Sequence, residues 1–282
     1  MTFGDTLKLI RISKSLSQKE LNNNLMSRTS ISKIENNRQI PTYPKAIILI
    51  SELGVTPNEF EYIRNGFKQS SKQEIIDDFI HLSNSTQHKA LEQLFIRCNN
   101  LLSKGQNDDI YRISLIIKAL LCTDTKSLKE LRIIVTPVWK YLETHDSWDK
   151  LDLYLVNNIL FLFSSETSYT MANTAIKNID QNYPQLRKLK NGFLLNEAFL
   201  LMQQNCWNSA LQLLELSMSL SQQIQRFDLF ILGRIRIAIC NGDFITAEKE
   251  RKVLSLMGAT NMYKSIEYEI NEFRKQIQKK AH

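Results

Sequence analysis

The sequence predicts an all-α protein in two parts, a compact N-terminal helical domain followed by a longer helical array. Three observations predict it. Only eight glycines and five prolines interrupt 282 residues. The segments between them place apolar residues at i, i+3, i+4 and i+7, the period of a helix with one buried face, and show no sustained period-two alternation. A short motif also recurs at a near-constant interval in the second half of the chain. The length suits two domains or one elongated array, and a 43% hydrophobic content is enough to build a substantial core.

In chain order, helices are expected near 4–14, 18–24, 28–36, 43–53 and 57–65. The opening MTFGDTLKLIRISKS carries amphipathic helical spacing where a signal peptide would carry an apolar core. No apolar run approaches the roughly 20 residues of a membrane span, so a cytoplasmic protein without a membrane partner is expected. Ser17 is a good N-cap, and Glu20 three residues later completes a capping box for QKELNNN; Ser27 caps RTSISKIEN. The stretch NGFKQSSK at 65–72 has the Gly/Ser/Lys character of a linker. The expected boundaries are therefore a domain at 1–66, a linker at 67–72 and an array at 73–282.

Within the array, Tyr169-x-x-Ala172, Trp207-x-x-Ala210 and Phe244-x-x-Ala247 recur at separations of 38 and 37, each opening a helix after a polar turn. The small Ala lets a second helix approach its partner closely while the aromatic ring plugs the turn. LYLVNNILFLF, GFLLNEAFLLM and LFILGRIRIAI repeat in phase as the first helices of three hairpins, and residues 73–145 hold roughly two more. These spacings resemble tetratricopeptide-like repeats with a period slightly above the usual ~34 residues. Stacked helix pairs form an α-solenoid whose first helices line a concave groove, a surface suited to extended peptides.

A net charge of +7 suggests an anionic partner, although a modest excess of Lys and Arg can also be a solvated surface. Residues 1–45 hold eight basic residues against Asp5, Glu20 and Glu35, so the opening segment concentrates the field at +5. In RTSISKIEN, Ile31 and Ile34 point back toward Leu21 and Leu25, leaving Arg28, Thr29, Ser32, Lys33 and Asn36 on the outer face. Such a helix, apolar behind and rich in donors in front, suits the major groove of a DNA duplex. Gln18 and Lys19 open the preceding helix, where exposed N–H groups favour a phosphate; Ser27 lies at the start of the second, and Arg11, Lys14 and Arg38 would flank the backbone. A small helical bundle with a polar surface would share the apolar pattern, but LSQKEL followed by SISKIEN separates the two.

LSQKELNNNLMSRTSISKIENNRQIP resembles the lambda-repressor-like helix-turn-helix of the XRE type. Two departures stand out: Asn22 occupies the usual Ala position, and the turn passes through NLMS one residue short and without Gly. Together with ELGVTPNEFEYI and the helical array, the compact turn is similar to the Rgg/MutR group of Gram-positive regulators, over nearly the whole chain. That resemblance implies a homodimeric transcriptional regulator that binds a pseudo-palindromic double-stranded promoter and senses a short imported hydrophobic signalling peptide, as in quorum sensing. An intersubunit disulfide near the DNA-binding domain, known in such proteins, is not expected, because the first cysteine is Cys98.

Polar residues interrupt the first helices of the array in register. Asn157 and Asn196 are 39 apart, Arg234 follows by 38, and Lys118 precedes Asn157 by 39. Asn amides offer donors and acceptors to a peptide backbone, and Arg234 or Lys118 would meet a carboxylate. Tyr154, Phe161, Phe193 and Phe230, about a turn away, would supply apolar pockets. The alternatives are that the Asn residues bond between helices and that the aromatics are core. A regulator whose repeats only dimerise or dock another protein therefore remains open beside a peptide receptor.

The four cysteines lack CxxC spacing and the four histidines make no HExxH or Cys/His ligand pattern, so buried free thiols, no metal and no cofactor are expected. There is no Gly-rich phosphate loop, nucleophile elbow or paired carboxylates at cleft spacing, which argues against an enzyme.

Overall fold

The computed structural model describes residues 1–21, 26–82 and 88–278. Among them are fifteen α-helices and no strand. The chain divides into two compact units, residues 1–74 and 75–282.

The first unit contains α1 (Phe3–Ser13), α2 (Arg28–Glu35), α3 (Tyr43–Glu52) and α4 (Pro57–Arg64). Thr2 and Asp5 cap α1 reciprocally, Ser27 caps α2 through the Ser30 amide, and Thr56 caps α4, which opens on Pro57. The Ser17–Glu20 box forms as expected: the Ser17 N–H donates to Glu20 Oε2 at 2.6 Å and the Glu20 N–H to Ser17 Oγ at 3.3 Å. Residues 18–21 make a turn. The rest of the helix expected at 18–24, with Asn22, Leu25 and the start of NLMS, lies outside the described residues.

Leu7, Ile10, Leu21, Ile31, Ile34, Leu49, Leu53 and Phe60 form the core of this unit. Gly4 sits where α1 meets α2: a Cβ there would stand 2.1 Å from the Ile34 carbonyl oxygen, so no side chain fits. Asn37 ends α2 in the left-handed region at φ 59°, a conformation Asn tolerates. Its side chain accepts from Thr2 Oγ1 at 2.6 Å and donates to Asp5 Oδ1 at 2.8 Å, tying the end of α2 to the start of α1.

The fifth helix, α5 (Ser71–His81), spans the division. The second unit continues through α6 (His88–Leu102), α7 (Asp108–Leu121), α8 (Leu128–Leu142), α9 (Lys150–Ile159), α10 (Ser165–Asn182), α11 (Arg187–Gln203), α12 (Trp207–Gln223), α13 (Phe227–Cys240), α14 (Phe244–Leu256) and α15 (Thr260–Gln278). Consecutive helices pack on one another through most of this series, the arrangement of an α-solenoid. One apolar cluster runs from Ile75 to Phe193 and a second from Leu195 to Phe273, so α11 is the shared wall. Within it, Asn191 clasps α12 by donating to Ser221 Oγ at 2.8 Å and accepting from Ser217 Oγ at 2.7 Å, all three fully buried.

Ala172, Ala210 and Ala247 are buried as the motif requires. Trp207 packs edge-on against Phe273, and Phe244 lies under the Arg274 guanidinium. Tyr169 departs from the expected plug and is 54% exposed. Its helix begins a turn earlier, at Ser165, and the inward place goes to Ser168, whose hydroxyl donates to the Leu160 carbonyl at 2.7 Å. LYLVNNILFLF likewise breaks at Ile159 into a 3-10 turn, Leu160–Leu162.

The last helix does not simply extend the stack. Ile266, Ile270 and Phe273 bury its apolar face, while Gln276 Nε2 donates to the Gln203 carbonyl at 3.2 Å and to Asn205 Oδ1 at 3.1 Å. Thus α15 runs from α14 back to the turn between α11 and α12.

Candidate functional site

In the first unit, Ile31 and Ile34 face the core and their helix turns Arg28, Thr29 and Lys33 to solvent. Ser32 is half-buried, and Asn36 donates back to the Ser32 carbonyl at 2.8 Å. Lys19 and Arg38 are exposed and, with Arg28 and Lys33, have no ion pair among the described residues. Ser27 is exposed with its hydroxyl engaged by Ser30.

Three of the polar residues expected at this face have other partners. Arg11 donates to both oxygens of Glu35, at 2.6 and 3.0 Å, and to the Leu16 carbonyl at 2.7 Å. Gln18 Nε2 donates to Glu35 Oε2 at 2.7 Å. Lys14 Nζ meets the carbonyls of Leu53 and Gly54 at the end of α3, where a cation also suits the helix dipole. Glu35 is 3% exposed. Burial presses its carboxyl upward, but hydrogen bonds from Arg11 and Gln18 and the charges of Arg11 and Lys8 outweigh that and hold it below the ordinary carboxylate range. Arg11 therefore braces α1 against α2, and Gln18 joins it on the same carboxylate.

In the second unit the first helices enclose a cavity of about 360 Å³. Its wall follows α9 through Tyr154 and Asn157, then Phe161; α11 through Lys188, Gly192, Asn196 and Leu200; and α13 through Leu229, Leu232 and Arg236. Apolar residues of α5, α6 and α7, among them Phe79, Leu91 and Leu120, close one side, and Met262, Ser265, Ile266 and Glu269 of α15 close another. Asn196 Nδ2 donates to Asn157 Oδ1 at 3.1 Å, so the two amides predicted as a ladder meet each other at the wall.

Four other predicted ligand residues lie elsewhere. Phe193 is fully buried in the core; Phe230 packs against the second apolar cluster; Lys118 is exposed on α7; and none of these lines the cavity. Arg234 turns to α14, where its Nη2 pairs with Glu250 Oε1 at 2.6 Å. The reason is register. Leu229, Leu232 and Arg236 follow Leu189, Gly192 and Asn196 by 40 positions, against the 37 that separate the motifs opening α12 and α14. A shift of three residues keeps the stripe close to the same helix face but moves it by nearly one turn, about 4.5 Å. A constant 38-residue step therefore lands two residues, about 200°, off the cavity face.

Arg236 is the cation that spacing missed. It is 8% exposed, donates to both oxygens of Glu269 at 2.8 and 3.0 Å and to the Leu195 carbonyl at 2.8 Å, and lies over the Phe199 ring at 4.9 Å. Arg226, also lining the cavity, is held bidentately by Asp228 at 2.8 and 2.6 Å. On the same helix as Asn196, Glu197 is 4% exposed with an unpartnered Oε2, and burial pushes its carboxyl up to about 7. Burial also pushes the Cys98 and Cys240 thiols up to about 11, away from reactive thiolates.

Residues 7–60 match a helix-turn-helix family model. Over nearly its whole length the chain is similar to several solved structures. A candidate transcriptional regulator from Listeria monocytogenes EGD-e shares 18% identity at a TM-score of 0.71, covering 98% of both chains. The Streptococcus dysgalactiae SHP pheromone receptor Rgg2 shares 15% at 0.67, covering 96% of this chain and 99% of its own. Bacillus thuringiensis PlcR, solved with the peptide PapR7 and DNA, shares 15% at 0.66, covering 93% and 98%. These likenesses establish a common fold.

Proposed function

We propose that the chain is a DNA-binding transcriptional regulator whose helical array senses a short hydrophobic signalling peptide, and that it acts in the cytoplasm as a homodimer. Residues 1–66 bind the duplex, 67–72 tether, and 73–282 sense and dimerise. The observation that carries the DNA half is α2: two buried isoleucines behind and, in front, exposed Arg28 and Lys33 with no ion pair among the described residues. Arg28, Thr29, Ser32, Lys33 and Asn36 meet base edges and phosphates, while Lys19, Arg38 and the amides near Gln18 and Ser27 hold the backbone. Two such helices on a twofold axis read a pseudo-palindrome.

The peptide half is supported by the cavity and by its wall, in which amides and paired cations interrupt apolar side chains. Solved proteins of this fold include a pheromone receptor and one held with a peptide and DNA. A second reading, in which the array only dimerises or docks a protein, draws support from Asn157 and Asn196, whose amides share a hydrogen bond across α9 and α11.

Fluorescence anisotropy of a labelled duplex from upstream of the protein's own gene tests both halves. Arg28→Ala or Lys33→Ala should weaken binding at least about tenfold with an unchanged melting curve, and affinity should fall steeply with salt because phosphate contacts release counterions. Wild-type affinity in both variants would remove α2 from the interface. A shift in duplex affinity on adding short hydrophobic peptides encoded nearby supports the sensor; none supports the second reading.

A further inference from the structure

The charges around the cavity do not balance. Arg236 is matched by Glu269 and Arg226 by Asp228. Lys188 stands on the same wall, and among the described residues no carboxylate closes on its ammonium. Partial burial and the Arg226 charge hold that ammonium below its ordinary range, only partly offset by Asp228, and this end of the cavity sets two cations, Lys188 and Arg226, against the single Asp228 carboxylate. Two helices also begin here, α11 at Arg187 and α13 at Phe227, neither with a side-chain cap, and their first turns add positive potential.

The opposite end is apolar, lined by Leu120, Phe161 and Leu200. Lys188 and Leu200 are twelve residues apart on α11, about 18 Å along its axis. That distance matches five to six residues of extended chain, at roughly 3.3 Å each.

We propose that the cavity takes a short, mainly apolar peptide in one direction, with its C-terminal carboxylate at Lys188 and Arg226 and its apolar side chains toward Leu120, Phe161 and Leu200. This rests on the peptide reading above and adds to it a direction and a terminal group. Asn157 and Asn196 lie between the two ends and face the peptide main chain. A carboxylate between an ammonium and a guanidinium makes charge-assisted hydrogen bonds that a neutral amide cannot replace.

The test uses the full chain and three pools of N-terminally fluorescein-labelled hexapeptides drawn from Leu, Ile, Val, Phe and Gly. One pool ends in free acids, one in amides, and one in amides with a single internal Glu. Wild type should bind the free acids about tenfold more tightly than the amides; Lys188→Met should remove that preference and Lys188→Arg should retain it. Lys188 stands at the cavity rim, partly open to solvent, and a melting curve equal to wild type confirms that each variant folds. Equal binding of acids and amides by all three proteins would overturn the charge pairing and leave the peptide reading standing. Internal-Glu peptides binding as tightly as the acids would overturn the terminal assignment. Binding of no pool by wild type would overturn both this inference and the peptide reading.

Discussion

A single methyl group at Gly4 would press first on main chain, the Ile34 carbonyl, and then on the Asn37 side chain. Gly4→Ala should therefore separate α1 from α2 and cost roughly 2 kcal/mol or more, read as a lower urea midpoint for the first unit; an unchanged midpoint would show that the helices can part freely. Glu197 makes a prediction of opposite character. Its carboxyl titrates at about 7 in the folded chain and near 4.3 when unfolded. Below the lower value both states hold the proton and stability is intact; as pH rises through the window the unfolded chain ionises first, and folding becomes progressively less favourable. Relative to Glu197→Gln, wild type should lose on the order of 3 kcal/mol between pH 4 and 8, with the loss complete above about pH 7. Denaturation curves that stay parallel across this range would show that Glu197 meets water or a partner.

At the scale of elements, helices were legible because 3.6-residue periodicity and cap residues are local properties: Ser27 announces α2 without tertiary information. The α2 face was legible for the same reason, since one helix determines which side Arg28 and Lys33 share. The partners of Arg11, Lys14 and Gln18 were not legible, because a side chain's availability depends on what the other helices bring to it, and Glu35 and the end of α3 are distant in sequence. The cavity was half legible. Asn157 and Asn196 face it because α9 and α11 keep the 39-residue step, whereas α13 shifts by nearly a turn and puts Arg236, not Arg234, on the wall. Asn37 carried only a weak signal, an Asn just past a helix end.

Taken as a whole, the molecule places α2 in one unit and the cavity in the other. Removing residues 260–282 should uncover Phe199 and Trp207, which pack edge-on against Phe273 of α15, and the truncated chain should bind a hydrophobic dye and aggregate, visible by light scattering. A truncated chain that stays monodisperse and binds no dye would mean that α15 is not needed to cover the second cluster. Most packing in the array joins helices adjacent in sequence, but the contacts of Gln276 with Gln203 and Asn205 span more than seventy residues. During synthesis at roughly 5–20 residues per second, the earlier helices can stack as they emerge while their inner face is still open to the surroundings. Only when the nineteen residues of α15 leave the ribosome does that face gain its final wall. The cavity is thus closed only after α15 has been made, and a nascent chain stalled before Thr260 exposes to chaperones the apolar surface that α15 covers.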